Sequence, residues 1–320
     1  MGTKRMDGKP VNGARQLLRD VIPLPAPYSI TVFPIYACNF KCRYCMQSLP
    51  PEERLNTCTE TLMTMEMYRK FIDELAEMGG TKALHFAGYG EPLLHPNIVE
   101  MVRYAKEKQV ANTVDIVTNG VLLTEQLVHG LVDAGLDHMR ISLQGLNAER
   151  YEEMCEAKVD FEKFLQMLRY LYEHKGQIRL YLKILDVELE GHTEEEFLAM
   201  FGGVADEVAI EHLIPLADKI DYEKEFQRDN FGVTMGGLSV NHAQVCPQPF
   251  YYMMFNPDGD LIPCCMSERP IILGNIKRKK LIEIWNGGGE TKFFKNPTKK
   301  EKGSIFCMQE LHLLSLRPVA

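Results

Sequence analysis

YSITVFPIYACNFKCRYC, residues 28–45, runs a β-type segment straight into three cysteines. The apolar run 28–36 is rich in β-branched and aromatic residues, the composition of a strand. Cys38, Cys42 and Cys45 follow at once, in the spacing C-x₃-C-x₂-C. A strand that ends in a cluster of soft ligands asks what lies beside it in the sheet and what the thiols hold.

Outward from this segment the pattern alternates. Helical spacing of Met67, Phe71, Leu75 and Met78 marks a helix over 65–79, then 82–88 reads as a strand. Helix 97–108, strand 113–120, helix 125–135 and strand 138–145 follow. Gly135 is placed to end its helix. Helix 160–176 opens on Asp160 as N-cap and closes on Gly176. Strand 178–186, helix 193–203 and strand 207–214 complete the series. Repeated β/α units demand a parallel sheet with helices outside it, and right-handed crossovers between sequential neighbours curl that sheet. Six units fall short of the closed eight-fold barrel. The expected fold is therefore α/β: a partial (β/α)6 barrel, laterally open, with an open doubly wound sheet as the rival.

The pattern fails over 215–245, a polar stretch with no period, and restarts at residue 246. There, two apolar runs flank Asn256-Pro257-Asp258-Gly259, a turn signal because glycine supplies positive φ. A short helix is expected over 280–288. The expected organisation is an extension over 1–27, a core over 28–214, a connection over 215–245 and a small α+β domain over 246–320.

The chain has 320 residues, 45% of them hydrophobic, enough for one large and one small domain. Its net charge of −8 gives no electrostatic reason to expect nucleic acid or an anionic membrane as partner. No apolar run reaches the ~20 residues of a membrane span, and the polar N-terminus lacks the apolar core of a signal peptide. The expected compartment is the cytoplasm, where thiols stay reduced and clustered cysteines serve as metal ligands or catalysts.

Zinc in a structural site takes four ligands, usually as two close pairs, and the histidine nearest after the cluster is His85. Three thiolates suit an iron–sulfur cluster with one iron left open for another molecule. With a tyrosine, Tyr44, just before the last cysteine, the motif resembles that of the radical S-adenosylmethionine (SAM) superfamily. The resemblance covers roughly residues 28–214 and includes GYGEP (88–92), TNG (118–120) and ISLQG (141–145) after successive strands. It implies a [4Fe–4S] cluster on Cys38, Cys42 and Cys45 whose open iron chelates SAM. It also implies reductive cleavage of SAM to methionine and a 5′-deoxyadenosyl radical, fed by a flavodoxin- or ferredoxin-type electron donor.

Read onto this chain, the resemblance places Gly88, Gly90, Glu91, Pro92 and Asn119 around SAM. Tyr44 would lie against the adenine, Ser142 at the ribose and Lys183 at the carboxylate. Many members carry an arginine a dozen or so residues after the serine strand; here that region holds Cys155.

The C-terminal segment resembles the SPASM domain, or the shorter twitch domain of 2-deoxy-scyllo-inosamine dehydrogenase-type members, through GDLIPC (259–264) and LIEIWNG (281–287). That implies a second, auxiliary [4Fe–4S] cluster on Cys246, Cys264 and Cys307. The expected last cysteine is replaced by Glu310, leaving Glu310, Cys265 or an open iron to complete it. Cys58, Cys155 and Cys265 remain, either as buried small hydrophobes or as a hydrogen donor to a substrate radical.

The expected activity is hydrogen abstraction from a C–H bond, leading to dehydrogenation or epimerisation. Twenty-seven residues before the first strand are too few for a folded peptide-recognition domain. That tilts the expectation to a small polar substrate, a sugar, cyclitol or aminoglycoside, with Asp186, Glu211 and His212 as contacts. A peptide substrate, or a non-catalytic iron–sulfur or zinc protein, is the alternative.

Overall fold

The computed structural model describes residues 3–6, 17–54, 58–189, 191–217, 219–228, 232–239, 247–264 and 272–287. Its strands are β1 (Lys4–Arg5), β2 (Ser29–Val32), β3 (Thr81–Phe86), β4 (Ala111–Thr118), β5 (His138–Leu143), β6 (Arg179–Leu185), β7 (Glu207–Glu211), β8 (Tyr252–Phe255), β9 (Asp260–Ile262) and β10 (Gly274–Asn275). They form one sheet in the order β1-β7-β6-β5-β4-β3-β2-β8-β9-β10. From β2 to β7 every neighbour is sequential and parallel. This is the partial barrel expected from the alternating pattern, with β1 and β10 at its two open edges.

Helices α1 (Met65–Glu77), α2 (Ile98–Glu107), α3 (Glu125–Asp133), α4 (Ala148–Cys155), α5 (Phe161–His174) and α6 (Glu194–Phe201) fall between these strands. Polar caps set where they start. Thr64, Thr124, Asn147, Asp160 and Thr193 each accept a hydrogen bond from the backbone N–H three residues on, and Thr193 with Glu196 forms a reciprocal capping box. Alternate strand residues face the helices. Leu84, Phe86, Val114, Ile116, Ile141, Leu182 and Val208 are fully buried in one large core with Phe71, Met101 and Leu168.

The opposite residues of the same strands face the barrel lumen, where polar side chains stand among Ala83, Val117, Leu185 and Ala209. His85, Asp115, Arg140, Ser142, Tyr181, Lys183 and Glu211 share that face by register. Asp115 takes hydrogen bonds from Arg140 and His85, the latter at 2.7 Å, and His85 Nε2 lies 3.1 Å from Ser29 Oγ.

Four features depart from the sequence pattern, the first being α4, a helix between β5 and α5 that no periodicity marks. The N-terminal extension supplies β1, which pairs parallel with β7. The connection holds a short helix, α7 (Tyr222–Phe226). The C-terminal hairpin β8–β9 turns at Gly259, φ +92°, as expected, but β8 pairs parallel with β2, so it continues the barrel sheet. Phe255 on β8 stacks on Phe71 of α1 with ring centroids 4.2 Å apart. α8 (Leu281–Trp285) sits within the segment expected to be helical. Cys246, Cys265, Cys307 and Glu310 lie outside the described residues.

Candidate active site at the barrel mouth

Parallel strands end on one side, so the loops after β2, β3, β4, β5 and β6 meet there. The loop after β2 carries the three cysteines. Asn39 Oδ1 of that loop accepts from Asn119 Nδ2 at 2.9 Å, which ties it to the end of β4. Gln47 Nε2 donates to Tyr36 O at 2.8 Å and to Tyr89 O, which ties it to the loop after β3.

Glu91 is the knot between the second and third loops. It is 2% exposed; Oε1 accepts from Thr118 Oγ1 at 2.6 Å and Leu93 N at 3.0 Å, and Oε2 from Asn119 N at 2.8 Å. Burial raises its carboxyl above the ordinary value, while these three donors pull it back. Pro92, also buried, opens the short helical turn that follows.

The two glycines make room for the chain itself. A Cβ on Gly90 would stand 1.9 Å from Ile35 O and 2.8 Å from Ala37 O. One on Gly88, φ +120°, would enter the Phe33 ring at 2.4 Å. Gly90 therefore lets the loop after β3 close onto the entrance of the cysteine loop.

The cysteine loop is prepared for anionic sulfur. Phe40 N–H donates to Cys38 Sγ at 3.4 Å, and the N–H groups of Gln47 and Met46 act on Cys45. Burial pushes the Cys38 and Cys45 thiols up to about 12, with Glu91 adding to it at Cys38 and Cys42 at both. Without a cation the three would stay protonated; a metal centre reverses this and deprotonates them. By their chemistry three thiols on one loop, two of them served by N–H groups, suit an iron–sulfur cluster, while among the described residues no three ligand side chains converge on the position of a single metal ion.

Tyr44 packs against the core, and its hydroxyl donates to Gln144 Oε1 at 2.6 Å, just past β5. Ser142 lies on the lumen face opposite Lys183 in register. Lys183 Nζ is 2.6 Å from Glu211 Oε2, and Tyr181 donates to Glu211 Oε1 at 3.0 Å. The Lys183 charge is thus already paired within the chain. Of the three expected substrate contacts, Asp186 holds His212 Nδ1 at 2.9 Å and Arg228 at 2.8 Å, and Glu211 holds Lys183.

Glu188 has no signal in the sequence, where VELEG reads as a solvated turn. It is 1% exposed; Oε2 accepts from Leu185 N at 3.1 Å and Oε1 takes no hydrogen bond. Burial pushes its carboxyl up to about 8, opposed by Leu185 N–H and the nearby Tyr44 hydroxyl.

The other described cysteines, Cys155 and Cys58 of the leftover set and Cys264 of the expected auxiliary set, lie apart. Cys155 ends α4 at 0% exposure, with Sγ 3.6 Å from Cys42 Sγ. Its sulfur therefore packs directly against the cluster loop, in a site closed to solvent. Cys58 packs against the apolar group formed by Phe33, Tyr252, Met254 and Ile262. Cys264 Sγ lies 3.7 Å from Gln248 Oε1.

An open parallel barrel with three thiols at its mouth defines a class of iron–sulfur enzymes. The family model of the radical SAM superfamily matches residues 32–202, and that of the SPASM iron–sulfur cluster-binding domain matches residues 246–308. The chain belongs to the radical SAM superfamily. Membership carries a [4Fe–4S] cluster with SAM in the core, and the SPASM region carries auxiliary iron–sulfur.

Among curated proteins, GTP 3′,8-cyclase of Chlorobaculum tepidum is 39% identical over 163 residues, 51% of this chain and 46% of that protein. The chain thus matches about half the length of that relative. PqqA peptide cyclase of Gluconobacter oxydans is 24% identical over 294 residues, 83% of this chain and 78% of that protein. Among solved structures, BtrN in complex with AdoMet and 2-DOIA superposes with a TM-score of 0.51 at 21% identity, covering 81% of both chains. Streptococcus suis SuiB bound to precursor peptide SuiA gives 0.61 at 15% identity, covering 84% of this chain and 66% of that one. Both likenesses bear on the fold. No helix of the described residues is long and apolar enough to cross a membrane.

Proposed function

We propose that this radical SAM enzyme removes a hydrogen atom from a C–H bond of a small polar substrate, of sugar, cyclitol or aminoglycoside type, held in the barrel lumen. The observation that carries the reading is the lumen face. Its charges are compensated in place, Lys183 by Glu211 and Arg140 by Asp115, while Ser142, Tyr181 and His85 add further hydrogen-bonding groups. Such a surface suits a hydroxyl-rich molecule, whose many hydrogen bonds replace those it makes to water, better than an apolar one.

In this reading Cys38, Cys42 and Cys45 hold the cluster, and Tyr44, Asn119 and Ser142 line the space for SAM. When bound, cluster and SAM supply a carbon radical strong enough to take hydrogen from an unactivated C–H bond. The chain's share is placement. Glu91 and Asn119 lock the loops at the mouth, and Gln144 holds the Tyr44 ring by its hydroxyl. Glu211 fixes Lys183 on the lumen face beside Ser142. Dehydrogenation needs no thiol in the lumen, whereas epimerisation would need one of Cys58, Cys155 or Cys265 to return a hydrogen atom there. A flavodoxin- or ferredoxin-type protein supplies the electron.

A second reading, a peptide substrate, is favoured by the PqqA peptide cyclase relatives, which match over four fifths of the chain. Anaerobic assays with reductant and SAM separate the two. Aminocyclitols or sugars are expected to raise 5′-deoxyadenosine formation above background, with deuterium moving from labelled substrate into the product nucleoside. Stimulation by precursor-type peptides alone would replace the first reading with the second. Replacing Cys38, Cys42 and Cys45 with alanine is expected to abolish the nucleoside altogether.

A further inference from the structure

Two sulfurs of the cluster loop are met by main-chain donors, Cys38 by Phe40 N–H and Cys45 by Gln47 and Met46. Around Cys42 the hydrogen-bonding partners are side chains instead. The Tyr44 hydroxyl is nearby but is spent on Gln144 Oε1 at 2.6 Å. The Cys155 thiol is in contact, sulfur to sulfur at 3.6 Å.

The backbone builds this contact. Lys41 N donates to Cys155 O and Arg43 N to Met154 O, both at 2.9 Å, so the last turn of α4 brackets Cys42 from either side. Beyond it, Glu156 turns the chain with φ 53° and pairs with Lys41 at 3.0 Å. The thiol is fully buried, with no water to compete for its hydrogen.

We propose that Cys155 is a positioning residue for the iron–sulfur centre, its thiol donating an S–H···S hydrogen bond to the Cys42 sulfur and so setting the reduction potential of that centre. The inference rests on Cys42 being a cluster ligand. A ligating cysteine is a thiolate without a proton, so the hydrogen between the two sulfurs sits on Cys155. The other acceptor in reach, Gln144 Oε1 at 3.7 Å, is a neutral carbonyl that also receives Tyr44, and a thiolate on Cys42 is the stronger, charged acceptor for the same hydrogen. Hydrogen bonds to the sulfurs stabilise the more negative, reduced cluster and raise its potential. In a dry site the effect is undiluted by solvent. Sequence spacing hides this role, because Cys155 lies 113 positions from Cys42.

The test is an anaerobic redox titration of reconstituted full-length protein, following the electron paramagnetic resonance signal that changes when SAM is added. That signal and its loss in the Cys38, Cys42 and Cys45 triple variant establish the cluster assignment separately from the inference. Cys155→Ala is expected to shift the reduction equilibrium several-fold toward the oxidised form; a tenfold shift is about 59 mV for a one-electron couple. Cys155→Ser, which keeps a donor, is expected to stay near wild type, and the auxiliary centre is expected to hold its potential in both variants. Failure of the alanine variant alone to retain the SAM-responsive centre, with the serine variant retaining it, also supports the hydrogen bond. Equal potentials in wild type and Cys155→Ala, at equal iron content, overturn it. So does loss of the centre in both variants, which would make the thiol an assembly requirement rather than a donor.

Discussion

At the scale of single residues the site depends on groups that burial has moved from their ordinary chemistry. Glu188 is the clearest, its carboxyl pushed up to about 8 by burial. The folded form therefore holds a proton that the unfolded form has released. Its stabilising contribution is fully present below about pH 4.5 and lost as the pH rises through about 8. Glu188→Gln keeps the shape and has no proton to lose, so its stability relative to wild type is expected to rise across that window. Anaerobic denaturant titrations at pH values near either end measure this, and a constant difference would mean that the carboxyl titrates alike in the folded and unfolded forms. Gly90 tests packing instead of charge. With a Cβ 1.9 Å from Ile35 O, Gly90→Ala is expected to cost about 1–3 kcal/mol, the usual range for overpacking. It is also expected to lower iron retention, since the clash opens the seam between the loops after β2 and β3. Full stability by denaturation, with full iron, would show that the backbone shifts freely there.

At the scale of elements, α7 is the unexpected part. Its Tyr222 hydroxyl donates to Tyr44 O at 2.8 Å and accepts from Leu216 N and Ala217 N, each at 3.1 Å. Arg43 meets Glu225 at 2.6 Å and lies over the Phe226 ring at 5.9 Å. The helix thus latches the connecting segment onto the cysteine loop. Tyr222→Phe strands three backbone groups and is expected to cost about 1–3 kcal/mol, with faster amide exchange at Leu216 and Ala217. Arg43→Ala, which breaks a half-exposed pair, is expected to cost under about 1 kcal/mol. An unchanged exchange rate in Tyr222→Phe would show that the latch is not formed in solution. Periodicity showed α1, α2, α3, α5 and α6 because each lays a full apolar stripe on the sheet. It missed α7, only five residues long, and α4, eight residues whose buried face is the single group Tyr151, Met154 and Cys155. The ligand loop was legible because C-x₃-C-x₂-C is local. Glu91, Lys183 and Cys155 take their roles from partners 27 to 113 positions away, and no local pattern encodes those.

At the scale of the whole molecule, the change of pattern at residue 246 marks a new cluster-binding region but no break in the sheet. β8 adds parallel to β2, the strand that delivers the cysteine loop, and Phe255 stacks on Phe71 beneath it. The two halves of the matched sequence therefore share one core. Had the hairpin stood apart, deleting an aromatic from it would leave the barrel untouched. With the core shared, Phe255→Ala removes a fully buried ring from the packing of α1 as well as of β8, at about 3–5 kcal/mol. The variant is expected to unfold at lower denaturant in one transition, with the SAM-responsive centre and the auxiliary iron lost together. Wild type is expected to unfold in a single transition as well. Two resolved transitions, with the SAM-responsive centre outlasting the auxiliary iron, would show that β2 is stable without β8 and that sheet continuity does not couple the two centres.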